Sequence, residues 1–385
     1  MGDVDVEEAA DEERHATNLE LFLDLVFVFS VTQITAMLSH DLTWGGAGRA
    51  TLVCYLVWWQ WSQFTWAGAA IDLQRHPGTR LLVLVTIPAA LVMTTAIPVA
   101  YGDHAWWFGA AYLVVQLLVL GMQGSQSVKA EATRVAFVKY ASAAAIAPVV
   151  VFAGCFVDGD ARIVAWIAAL AANFVGALRS KGEWAINPVH FAERHALFVI
   201  IALGEVLVAV GATASEQGLS STVLIGLASA AAGACVIWWT YFAFIPNVAE
   251  HALKTASGPA RGALARDVFS FGHFPIIAGI ICYAAVVKHM VPHATAVLPA
   301  AERWVLVASV ALIVGGFLHI QFRVVRRLAP ERLAAIAVVA VGAPLASAVP
   351  GALVVGGVIA VLGIMQAITW RRFRRSGIRR VTPNH

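Results

Sequence analysis

Charge is what this sequence has least of. Only 13% of its 385 residues are Asp, Glu, Lys or Arg, about half the share typical of a soluble chain, and no long polar domain interrupts it. With 60% hydrophobic residues, most of the chain must be solvated by lipid or by itself. Cysteine is scarce as well. Cys54, Cys155, Cys235 and Cys282 lie singly in apolar runs. No CxxC and no Cys/His metal spacing occurs, so they read as small apolar core residues. A Walker loop, HExxH, GxSxG and His-rich tracts are all missing. That removes the motif grounds for nucleotide hydrolysis, zinc chemistry or a serine nucleophile. No cofactor, no metal, no nucleic-acid partner and no enzyme activity are expected.

What is present is a series of long apolar stretches. A bilayer core about 30 Å thick needs roughly 20 apolar residues per helix. Twelve stretches qualify: 19–38, 47–69, 80–100, 104–121, 133–156, 161–178, 193–213, 221–245, 267–289, 302–322, 332–349 and 350–370. Val349-Pro350-Gly351 is either a tight hairpin between the last two or a kink in one long segment. The predicted fold is an all-α polytopic membrane protein with membrane lipids as its solvent.

Positive charge gives a side to each loop. With the N-terminus inside, the termini, the loops after even-numbered spans and the span ends that adjoin them hold all of the 26 Lys and Arg residues except Arg49, Arg162, Lys288 and Arg303. Both termini are therefore expected in the cytoplasm. Residues 1–18 are acidic and have neither the basic n-region nor the cleavage site of a secretory signal. They read as a cytoplasmic tail ahead of an uncleaved first span. Residues 371–385 form a basic cytoplasmic tail, and WRRFRRSGIRR is its stop-transfer cluster.

The sequence also echoes itself. ERHA occurs at 13–16 and at 193–196, an offset of 180. Val57-Trp58-Trp59-Gln60-Trp61 and Ile237-Trp238-Trp239-Thr240-Tyr241 share that offset. Ile87-Pro88 and Phe274-Pro275 follow in the same order, displaced by 187. These matches predict two six-helix halves, 19–178 and 179–370. An even number of spans gives both halves one orientation, so the repeat is of the parallel type.

Charged groups at bilayer depth cost roughly 2.5–3.5 kcal/mol each, so they face protein or water and are candidates for function. Glu20 and Asp24, four apart in LELFLDLVFVFSVTQITAML, share one helical face. They either share a proton or hold a cation; otherwise Glu20 lies among the headgroups and Asp24 bridges to a neighbouring helix. Glu205 is deeper, near the middle of the seventh span. Arg194 is eleven residues earlier on the same face, about 16 Å along the axis and out of bonding range. His273, two residues before Pro275, either relays a proton or bonds a carbonyl. Gln33, Gln60, Gln116 and Asn173 read as hydrogen-bonding contacts between helices. Trp58 and Trp59 fall near mid-span, where an interfacial belt would not put them, and Trp238 and Trp239 are their counterparts in the second half. They line a cavity, offer a ring face to a cation, or simply pack.

LELFLDLVFVFSVTQIT, ERHALFVIIALGEVLVAVG, WWTYF and GHFPIIAGI resemble the bacterial low-temperature-requirement A family, in order, from about residue 12 to about residue 370. The resemblance implies a membrane location but fixes no biochemical activity. Its motifs fall on Glu20, Asp24, Glu193, Arg194, Glu205 and His273. Glu193 and Arg194 are read as structural or gating charges, and the others as an ion or substrate pathway. A weaker likeness is to the endolysosomal potassium/proton channels, whose six-span units carry R-x-x-x-F-S-D in the first helix. Here the matching residues are Phe22-Leu23-Asp24, with Arg14 ten residues before the acid. Three functions are thus expected, in this order. The first is a proton- or cation-coupled secondary transporter, with H⁺ or a monovalent cation as partner. The second is an ion channel working as a homo-oligomer. The third is a membrane-embedded lipid enzyme or sensor.

Overall fold

The structure, a computed structural model, describes residues 14–70, 77–127, 131–180 and 184–375. Residues 1–13 of the acidic tail and 376–385 of the basic tail lie outside the described residues. All regular structure among the described residues is helical. In chain order the helices are α1 (Asn18–His40), α2 (Trp44–Ala70), α3 (Pro77–Thr95), α4 (Ala105–Ser127), α5 (Glu131–Ala144), α6 (Ile146–Gly154), α7 (Asp160–Arg179) and α8 (Pro188–Gln217). They continue as α9 (Ser221–Phe242), α10 (Ile245–Thr255), α11 (Gly258–Leu264), α12 (His273–Met290), α13 (Ala300–Val325), α14 (Pro330–Leu345) and α15 (Gly351–Arg375). A π-helical turn, Ala265–Phe271, joins α11 to α12.

Among the described residues, ten helices or helix runs are long and apolar enough to cross a membrane. Their exposed side chains are themselves apolar: Leu25, Leu81, Leu117, Val164, Val208 and Leu353 all face outward. A continuous apolar exterior is what lipid demands, and it would aggregate in water. Two helices stand outside the ten. α2 has 27 residues, but tryptophan, glutamine and glycine dilute its aliphatic content, and it is buried along most of its length. α14 has 16 residues. The segment before α15 forms a turn and not a kink: α14 ends at Leu345, and the Gly351 N–H donates to Ala296 O at 2.8 Å.

The chain divides into two compact units. Of the described residues, the first gathers those up to Met37, Trp44–Phe198 and Ala252–Phe271; the second holds Leu38–Thr43, Val199–His251 and those from Gly272 on. In the first unit α4 packs on α3 and α6, and α7 packs on α6. Gly109 lets α4 approach α6, since a Cβ there would meet Cys155 Sγ at 2.5 Å. Arg162, in the first turn of α7, is buried and donates to the carbonyls of Ala100, Gly102, Cys155 and Val157 and to Asp158. A cation in a sparsely basic loop is thus occupied in closing that loop.

The second unit is built on the α12–α13 pair. Gly279 faces Ser309 O and Ile313, and Gly316 faces Gly272 O, so the two backbones approach where a side chain would not fit. Ser309 Oγ donates to Gly279 O at 2.7 Å. Pro275 falls in the first turn of α12, where its missing N–H costs no helical bond.

Candidate functional site

Two helix starts build the site. Thr17 precedes α1, and its hydroxyl accepts from Glu20 N at 3.3 Å, while Glu20 Oε2 accepts from Thr17 N and Thr17 Oγ1 at 2.9 Å. This is a reciprocal capping box. Asn187 precedes α8, and its Oδ1 accepts from His190 N at 3.1 Å, with Pro188 at the first helical position. Glu20 and His190 are thus the third residues of their helices. His190 Nε2 lies 2.9 Å from Glu20 Oε1 and 3.0 Å from Oε2. One turn further on, Arg194 Nη2 donates to Asp24 Oδ1 at 2.8 Å. Both pairs are 170 residues apart in sequence, so the starts of α1 and α8 run side by side, in register and in the same direction.

The ladder is buried. Asp24 is 0% exposed and Arg194 1%. From α2, Trp61 Nε1 donates to Asp24 Oδ1 at 2.8 Å, and the Arg194 guanidinium lies 5.9 Å from the Trp61 ring centroid, within cation–π range. Gly68, also on α2, faces Glu20: a Cβ there would collide with Glu20 Oε1 and touch His190 Cε1 at 3.4 Å. The C-terminal end of α2 is tied to both helix starts. Ala69 O accepts from Arg14 Nη2 and from Asn187 N.

Several polar atoms at the site are buried with no protein partner among the described residues: Asp24 Oδ2, Arg194 Nε and Nη1, and His190 Nδ1. Buried polar atoms left open in this way call for water, a proton relay or a ligand. Each acid already faces a basic side chain, Glu20 facing His190 and Asp24 facing Arg194. No group of three or more His, Cys, Asp or Glu side chains suited to a metal occurs among the described residues.

The other candidates have separate surroundings. Glu193 Oε2 accepts from Ala16 N at 2.9 Å and lies 3.1 Å from His15 Nδ1, so the two ERHA copies touch. Trp58 Nε1 donates to Ser270 O at 2.8 Å, and Ser270 Oγ lies 2.8 Å from Ser62 Oγ. Trp59 is buried against Phe271. Trp238 and Trp239 are exposed, at 47% and 44%. In the second unit, His273 is buried and its Nε2 lies 2.8 Å from Tyr241 Oη. Glu205 is partly exposed on α8.

Sequence reasoning singled out Glu20, Asp24 and Arg194 but missed His190, Trp61, Gly68 and Ser270. A signal for the first was available: His190-x-x-x-Arg194 repeats the four-residue period of Glu20-x-x-x-Asp24, with acids on one helix and bases on the other.

An uncharacterized protein of Rhizobium meliloti (strain 1021) is 30% identical to this chain over 279 residues, covering 68% of the chain and 66% of that protein, just under two thirds of its length. No solved structure matches. Residues 15–367 match the family described as bacterial low temperature requirement A protein (LtrA), and since that is most of its length, the chain belongs to this family.

Proposed function

We propose that this chain is a proton-coupled secondary transporter of the bacterial plasma membrane, with twelve spans in two parallel six-helix halves and both termini in the cytoplasm. One observation carries the reading: the buried ladder of Glu20–His190 above Asp24–Arg194, with open polar atoms on Asp24, Arg194 and His190. A metal-like cation entering there would meet a guanidinium. A proton moving between Glu20 and His190 crosses about 3 Å and converts an ion pair into two neutral groups, or the reverse. Protonation of Asp24 would remove the charge that holds Arg194, giving a buried ion pair two arrangements. The matching register of α1 and α8, the first helices of the two halves, supports the parallel repeat. α2, at about 40 Å, and α14, at about 24 Å, complete the twelve.

The test uses purified protein in liposomes that hold a pH dye, with small metabolites of several chemical classes added outside. At least one class should drive proton movement in wild type. Glu20→Gln and Asp24→Asn should lower that movement at least tenfold while the protein stays folded. Folded wild type that moves no protons with any solute overturns the reading. A potassium current that needs no solute would make the protein a channel.

A further inference from the structure

The first unit contains a cleft that the ladder does not use. It is open to the outside and measures about 390 Å³ with the open space at its mouth counted. Trp59, Gln63 and Trp66 contribute to it from α2 at a spacing that puts all three on one helical face. Trp184 and Tyr140 close it. The Trp184 ring stands at 70° to Trp66, centroids 5.5 Å apart, and at 79° to Tyr140, centroids 6.1 Å apart. Aromatic walls that meet near right angles form a box, and a box of ring faces is the geometry that attracts an organic cation.

The polar lining agrees. Gln123 Nε2 donates to Gln63 O at 3.2 Å and to Gln63 Oε1 at 3.1 Å. A backbone carbonyl only accepts, so the nitrogen of Gln123 is fixed toward Gln63 and its oxygen points elsewhere. That oxygen, Oε1, is buried and has no partner among the described residues, on a side chain only 5% exposed. It is an acceptor waiting for a donor. Arg266 also lines the cleft, but Nε and Nη2 both bond Asp267 Oδ1 at 2.8 Å, and Nη1 donates to Ala177 O. Its charge is met by its neighbour, so it does not repel a cation as a lone guanidinium would. Trp66 Nε1 and Trp184 Nε1 donate to Ser270 Oγ and Ser180 Oγ, which fixes both rings as walls.

We infer that this cleft binds a small organic ammonium ion, its charged head within the Trp66–Trp184–Tyr140 box and a donor on its tail bonded to Gln123 Oε1. As a transported substrate, this ion rests on the transporter reading above. As the ligand of the cleft it does not, because binding is measured at equilibrium with no gradient.

Three probes separate the parts: choline has the charge and a hydroxyl, tetramethylammonium has the charge alone, and dimethylbutanol is choline's neutral carbon isostere. Calorimetric titration of the full chain in nanodiscs should place choline about tenfold tighter than dimethylbutanol, with tetramethylammonium between. Gln123→Leu should bring choline down to tetramethylammonium. Trp184→Leu should bring choline down to dimethylbutanol. Choline and dimethylbutanol binding equally to wild type, or folded wild type binding no choline at millimolar concentration, overturns the inference. This comparison stands even if a variant fails to fold. Binding without proton flux would retire transport and keep the cleft; flux without binding would do the reverse.

Discussion

The two units handle polarity differently. In the second, the buried charges Glu302 and Arg332 sit in the first turns of α13 and α14, and close helix contact is made through glycine. In the first, Asp24 and Arg194 lie buried in the second turns of α1 and α8 and bond each other. The tryptophan pairs divide in the same way. Trp58 and Trp59 are buried under aromatic and serine partners, while Trp238 and Trp239 face outward. One dipeptide, placed 180 residues apart, serves as core in one unit and as surface in the other. The lesson is that an internal sequence match reports position along a span, whereas the opposing helix decides what the side chain does.

The largest break in this comparison comes from the buried ion pair. Asp24→Ala leaves Arg194 charged and uncompensated in a buried site, which should cost about 3–5 kcal/mol. Replacing both partners with apolar residues, Asp24→Leu with Arg194→Met, should restore most of that stability, since neither charge is then stranded. The double variant should still move no protons. Unfolding in detergent, followed by circular dichroism, gives both numbers. Equal losses in the single and double variants would mean that the pair is not the buried, coupled unit described above. In the second unit, Tyr241→Phe removes only the bond to His273 and should cost about 1 kcal/mol.

The tryptophans sharpen the contrast at the next level. Trp59→Ala empties a buried site between Tyr55 and Phe271 and should destabilise by about 3 kcal/mol or more. Trp239→Ala, at an exposed position, should stay within about 0.5 kcal/mol. The same unfolding experiment in detergent checks both. A large loss at Trp239 would place an unseen partner over that face.

How much of this was legible beforehand differs by level. Helix positions were, because an apolar run of membrane length has a strong composition signal: each of the twelve expected stretches overlaps a helix. Glu20 and Asp24 stood out because charge is so rare around them. Their partners did not. Arg194 was matched against Glu205 on its own helix, since spacing along one helix is all that a sequence displays. The pairing across helices depends on the register of α1 against α8, fixed by the capping residues Thr17 and Asn187, and neither drew notice among polar residues next to a span. Gly68 was equally silent, because a glycine's role lies in what approaches it. The π-helical turn at Ala265–Phe271, which presents Ser270 to Trp58, Ser62 and Trp66, has no sequence mark beyond the Pro275 that follows it.

Gly68 therefore offers the finest test. It lies on α2 where Glu20 and His190 meet, and an added methyl would collide with Glu20 Oε1. Gly204, on α8, has nothing within 4 Å of the corresponding position. Alanine at Gly204 should stabilise by up to about 1 kcal/mol, through helix propensity alone. Alanine at Gly68 gains the same propensity but must push a bonded carboxylate aside, so the net should be a loss of about 1–2 kcal/mol. The sign of the difference matters more than its size. If Gly68→Ala were as stable as Gly204→Ala, Glu20 would have room to swing away from α2, and the Glu20–His190 contact would not be held by packing. If it is less stable, and Glu20→Ala added to it restores stability, the carboxylate is the atom group being displaced, and the first rung of the ladder is fixed by the absence of a single Cβ.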